Sequence, residues 1–133
     1  MATMNDYATR KEIVFVLDNL PDLDTLLAGL PEGMEAHRLD SRGDALAQMA
    51  TILSGRANID ATHLFSHGAT GELDLGTVHL NNDSLASHTD TLSQIGASLS
   101  PNGDFLLYGC NVAEGSTGVD FINRLAQVAG ADV

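Results

Sequence analysis

The chain is poor in several residue types, and each scarcity excludes something. It holds one cysteine, Cys110, in 133 residues. A single thiol forbids an intramolecular disulfide and any zinc site built on several cysteines. There is no tryptophan and the aromatic share is 5%, so the core must rest on Leu, Ile, Val and Ala. Basic residues are scarce as well, six against 18 acidic, for a net charge of -12. Nucleic acids and anionic membranes are gripped by Lys and Arg, so neither is an expected partner. The excess carboxylate would instead draw Ca²⁺ or basic peptides, or simply maintain solubility. No EF-hand loop or nonapeptide calcium repeat supports calcium activation. No apolar run approaches the ~20 residues of a membrane helix, so membrane insertion is not expected. The first ten residues, MATMNDYATR, lack the apolar stretch of a signal peptide. They read as a disordered or tag-like lead, and any export is expected to proceed without a cleaved N-terminal leader.

What is present is an alternation of strands and helices. A 44% hydrophobic fraction suffices for one buried core, and residues 11–133 read as a single α/β domain. Residues 11–18 (KEIVFVLD) form a β-branched apolar run, a buried strand. Residues 22–30 predict a short helix with Asp22 as its N-cap and Pro31 beyond its end. Residues 34–40 predict a second strand, and Ser41 is placed to cap a helix reaching about Leu53. Residues 60–66 predict a third strand that ends in His67-Gly68. Two short alternating segments around Gly76-Thr77 suggest a β-hairpin. A helix follows over 82–99, a turn at 101–103, and a fourth strand over 104–108 ending in Gly109-Cys110. The last helix is predicted over 119–128, and residues 131–133 resemble the opening of a fifth strand. This order argues a three-layer sandwich with a mainly parallel sheet and right-handed crossovers.

In such sheets functional groups lie beyond the carboxyl ends of the strands. That rule selects Asp18 and Asn19, Asp40 and Ser41, His67 and Gly68, and Gly109 with Cys110. Among these, only His67 and Cys110 can make a thiol–imidazole pair. An imidazole beside a thiol lowers its pKa or takes its proton, and later protonates a leaving amine. Gly68 lets a backbone N–H approach a substrate carbonyl, and with the N–H of Cys110 it would form an oxyanion hole. The plainer account is a buried cysteine acting as a small hydrophobe and a His-Gly turn. The joint placement of the two at strand ends favours chemistry.

The ordered set KEIVFVLDNLPD, LLAGLP, HLFSHG and LLYGCNVAEG resembles a known group. Apolar strand, His67-Gly68, then apolar strand ending in Cys110 is similar to the clan CD cysteine peptidases, which include caspases, gingipains, clostripain, separase and self-cleaving toxin domains. The segment 63–114 also resembles the CHAT group, and the whole set resembles an uncharacterised bacterial domain near the N-terminus of large cadherin-like or haemolysin-type repeat adhesins. The resemblance implies a caspase-like fold, with His67 as general base or acid and Cys110 as nucleophile. Gly68 and Cys110 would supply the oxyanion-hole amides. It implies cysteine endopeptidase activity on a polypeptide, with the parent chain as one candidate substrate, and no required cofactor. It implies a bacterial extracellular or cell-surface setting within a larger exported protein, or a cytoplasmic one if the fragment stands alone. Caspase-like domains continue past the point matching Val133, so the C-terminal part is expected to be missing. Gly109-Cys110 also replaces the Ala-Cys of several members. The competing expectation is a non-catalytic binding or structural module of the same fold.

The remaining titratable residues have quieter readings. His63 sits within the third strand as a structural histidine, His79 and His88 read as surface residues, and His37 has no evident partner. A zinc site on His67, Cys110 and a carboxylate would have the ~3 ligands that suffice, but no paired-ligand spacing supports one, and no metal site is expected. Asp18 and Asp40 would orient His67, bind a basic substrate side chain or hold Ca²⁺, whereas the plainer expectation is that they cap loops. Glu72, Asp74 and Asp83 read as solvated charge.

Overall fold

The computed structural model describes residues 11–21, 23–30, 34–108, 112, 114–131 and 133. The lead 1–10 and the proposed cap Asp22 lie outside these residues. Strand β1 (Glu12–Leu17) is apolar almost throughout because both its faces are covered. Ile13, Phe15 and Leu17 enter the main core, and Val14 and Val16 are buried on the other face. Helix α1 (Leu23–Ala28) links β1 to β2 (Glu35–Leu39), and α2 (Ala45–Leu53) leads to β3 (Ile59–Phe65). After the small strands described below, α3 (Thr89–Ala97) and β7 (Leu99–Tyr108) follow, and α4 (Gly115–Ala129) comes last.

The main sheet has the order β2-β1-β3-β7 and is parallel throughout. From β1 the chain moves outward to β2, then returns past β1 to β3. Crossovers that run in opposite directions lie on opposite faces when both are right-handed. Arg38 of β2, in register with Val16, accordingly reaches Asp24 of α1 at 3.1 Å. On the other face α3 packs against both α2 and α4, enclosing Leu46, Met49, Leu92, Ile95, Phe121 and Leu125 with the sheet. The molecule is thus a three-layer α/β sandwich around a parallel sheet, as the alternation of segments predicts.

A second, antiparallel sheet of order β4-β5-β6 is formed by β4 (His67–Ala69), β5 (Glu72–Asp74) and β6 (His79–Asn81). Its Leu73 and Leu80 join Leu75 and Val78 in the core, while His67, Glu72, Asp74 and His79 occupy the other face by alternation. Its position is fixed at two places. Gly76 bridges to Asp44, and Thr77 Oγ1 donates to the Gly43 carbonyl at 2.8 Å. At the far end the Gly71 N–H donates to the Val112 carbonyl at 2.9 Å. Gly76 has φ +88°, and a Cβ there would overlap the Ser41 carbonyl.

Several boundaries differ from the sequence expectations. The N-cap of α2 is Asp44, whose carboxylate accepts from the Ala47 N–H at 3.0 Å, and not Ser41. The hairpin has a third strand, β4. The helix expected over 82–99 is divided: Asn81 and Ser84 close a turn, a 3₁₀ segment spans Leu85–His88, and α3 begins at Thr89. Residues 101–103 are not a turn between elements but part of β7, where the register against β3 shifts between Ile59 and Ala61. Pro101 is tolerated there because β7 is the sheet's outer strand. Helix α4 begins at Gly115, ahead of the expected 119. Ala131 and Val133 form no strand and pack against the core.

Candidate functional site

The connections after β1 and β3 leave toward opposite faces of the sheet, so the crevice between their carboxyl ends is the topological switch point where α/β sheets bind ligands. Asn19 and His67 occupy it. His67 is half-buried, and its Nε2 lies 3.2 Å from the Asn19 carbonyl oxygen. A carbonyl only accepts, so Nε2–H donates, and the neutral ring keeps a free lone pair on Nδ1. This bond orients the imidazole without a carboxylate. Gly68, next in β4, pairs with Leu73 across the small sheet.

The chain on either side of Cys110 is tied to the chain on either side of His67. Before it, the N–H of buried Ser66 donates to the Tyr108 carbonyl at 3.1 Å. After it, the Val112 carbonyl accepts from Gly71. Gly109 and Cys110 themselves lie outside the described residues, and with them the expected nucleophile, its amide and the zinc alternative. Ser66 Oγ donates to the His67 carbonyl at 3.1 Å, which braces the histidine's own backbone.

Asp18 and Asp40 stand on the same edge but serve the loop between β2 and α2. Asp18 Oδ1 accepts from the Ser41 N–H at 3.0 Å. Asp40 Oδ1 accepts from the Arg42 N–H at 2.9 Å and from its Nε at 3.2 Å. First that backbone N–H and then the guanidinium hold the Asp40 carboxyl below the usual carboxylate range. Neither aspartate hydrogen-bonds His67 among the described residues.

His37, His63 and His79 are partnered more fully than their sequence positions suggest. His37 is not solitary: it meets Glu35 and stacks on Phe15 with ring centres 5.7 Å apart. The Glu35 carboxyl also accepts from Arg56 at 2.7 Å. Arg56 foremost, and then His37, draw its pKa down from 4.5 to about 2. His79 approaches Glu72 at 3.5 Å and Asp74 at 3.8 Å, so those two carboxylates are not merely solvated. His63 lies between Glu12 and Tyr108, a grouping that sequence reasoning missed. Only the strand register, which sets Phe65 against Tyr108, reveals it. Among the described residues no group of three or more His, Cys, Asp or Glu is arranged to hold a metal ion. No helix there is long and apolar enough to cross a membrane. A cleft of about 500 Å³ lies at the opposite, amino edge of the sheet, lined by Lys11, Glu12, Glu35 and Arg56 among others, and His67 is not part of it.

A family model described as a domain of unknown function, DUF4347, matches residues 13–133. The chain belongs to that family. No curated protein matches this DUF4347 domain, and no solved structure does. The DUF4347 match takes in β1 through α4 except Glu12 at its start, and so covers the switch point and both segments that flank it.

Proposed function

We propose that this domain is a cysteine endopeptidase of the caspase-like type, working with His67 and Cys110. The observation that supports the reading is the pair of backbone bonds, Ser66 to Tyr108 and Gly71 to Val112, which tie the described residues on either side of Cys110 in sequence to the chain on either side of His67. His67 stands at the switch point with Nε2 committed to Asn19, so Nδ1 is the atom available to take the thiol proton. Cys110 would then attack the substrate carbonyl, with the N–H groups of Gly68 and Cys110 receiving the oxyanion. The imidazolium returns its proton to the leaving amine. The substrate is a polypeptide, and the parent chain of a bacterial surface adhesin is the first candidate. No cofactor enters this scheme.

The test is covalent capture. A panel of peptidyl chloromethyl ketones should add one peptide mass at Cys110 of the folded protein, and His67→Ala should lose that addition while keeping its circular dichroism. Equal labelling of wild type, His67→Ala and urea-unfolded chain would overturn the reading. For self-processing, a longer parent chain should be cleaved with Cys110 and stay intact with Cys110→Ala. A parent chain that persists intact with Cys110 present would refute that part alone.

A second reading, a binding or structural module without turnover, is favoured by one feature. Four clefts of about 310 to 570 Å³ are open to a ligand, and the residues that line these four include neither His67 nor Asn19. Under that reading Cys110 resists every member of the panel.

A further inference from the structure

The face of the sheet away from α2, α3 and α4 carries a set of reactive groups that the peptidase reading does not use. Alternation along β1, β3 and β7 places Glu12, His63, Phe65 and Tyr108 there. His63 Nε2 lies 2.7 Å from Glu12 Oε1, and its Nδ1 lies 3.0 Å from the Tyr108 hydroxyl. An ionised carboxylate only accepts, so Nε2 carries a proton. In the neutral ring Nδ1 is therefore the acceptor, and the phenol donates to it. The order phenol, imidazole, carboxylate is the order in which a base activates a hydroxyl while a third group orients the base.

Burial follows the same division of labour. The side chains of His63 and Glu12 are 15% and 24% exposed, whereas Tyr108 is 42% exposed. The base and its orienting carboxylate are sheltered, and the ring that bears the nucleophilic oxygen is open to a reagent. Its orientation is held by stacking on Phe65, with centres 4.2 Å apart and planes 7° from parallel, and on His63 at 5.8 Å. Polyanionic phosphoryl donors are repelled by a net charge of -12, so an uncharged donor suits the site.

We propose that Tyr108 is an acceptor for acyl transfer, with His63 as its general base and Glu12 as the residue that positions His63. The co-substrate is a small activated acyl donor such as an ester, thioester or acylated azole. The Tyr108 oxygen attacks the acyl carbon and a new C–O bond forms. The bond to the leaving group breaks, its electron pair departing with that group. The phenolic proton passes to His63 Nδ1 and from there to the leaving group. The products are a tyrosyl ester and the free alcohol, thiol or azole.

The experiment uses the 133-residue chain carrying Cys110→Ala, so that no thiol competes, with limiting N-acetylimidazole at neutral pH. Peptide mapping by mass spectrometry follows Tyr108 and Tyr7, the two tyrosines of the chain. General-base assistance predicts that folded Tyr108 acetylates about 100-fold faster than Tyr7 or than Tyr108 in urea. His63→Asn retains an acceptor near Nδ1 but no base, and should abolish that advantage. Glu12→Gln should reduce it, and serves alone if His63→Asn does not fold. Rates alike for the two tyrosines, or an advantage that persists in the folded variants, would overturn the proposal.

Discussion

At the scale of single residues, two buried side-chain oxygens among the described residues lack a hydrogen-bond partner, Thr62 Oγ1 and Asn82 Oδ1. Thr62 is fully buried between Ile13 and Phe105, and among the described residues its Oγ1 has no hydrogen-bond partner. A buried orphan hydroxyl costs about 1 kcal/mol or more, so Thr62→Val should raise the urea midpoint by an equivalent amount at unchanged slope. Glu35 gives a pH prediction whose sign follows from its environment. Arg56 and His37 hold its folded pKa at about 2, below the ordinary 4.5. The interaction therefore stabilises the fold above about pH 4.5 and is lost as pH falls toward about 2. Both side chains of the Glu35–Arg56 pair are more than a third exposed, so solvent screening keeps the contribution small. Arg56→Met should return the Glu35 titration, followed by carbon NMR, toward 4.5. His67 and Asp44 show what was legible at this scale and what was not. A histidine after an apolar strand marks a sheet edge by position alone. The Asn19 carbonyl that orients it has no side-chain signature, and Asp44 could not be chosen over Ser41 as the helix cap until the loop geometry was known.

At the scale of elements, legibility followed periodicity. The buried strands β1 and β3 and the amphipathic helix α2 were readable because their apolar spacing matches their surroundings on the sheet and core. β4 was not, since three residues containing Gly68 carry no alternation. The end of β7 nearest Leu99 was not readable either, because Pro101 and Gly103 signal a turn. There an edge strand absorbs both within a register shift, and a Cβ on Gly103 would press on the Ile59 carbonyl at 2.8 Å. The small sheet depends on such close approaches. Gly76 combines a left-handed φ with backbone contact against Ser41, so Gly76→Ala should cost about 2 kcal/mol or more. Hydrogen exchange should then quicken in β5 and β6 before it does in β1 and β3. Uniform loss of protection across all strands would show instead that the small sheet does not open separately from the core.

At the scale of the molecule, 18 acidic and six basic residues impose a self-repulsion that salt relieves. Raising NaCl from about 20 mM to about 500 mM shortens the screening length from roughly 20 Å to about 4 Å. The melting temperature should rise with it, and a flat response would mean that the acidic groups are already neutralised locally. The three-layer architecture followed from the order of segments, and the switch point followed from the crossovers once the strand order was known. Activity is a separate matter, because a fold of this kind hosts many functions, and the account stands on whether His67 acts on Cys110. The direct measurement is the rate of Cys110 alkylation by iodoacetamide across pH, in the native chain and in His67→Ala. An isolated thiol gains reactivity only near pKa ~8.5. The account predicts rapid alkylation well below that pH, lost in the variant. Slow alkylation that follows an ordinary thiol titration in both proteins would contradict it.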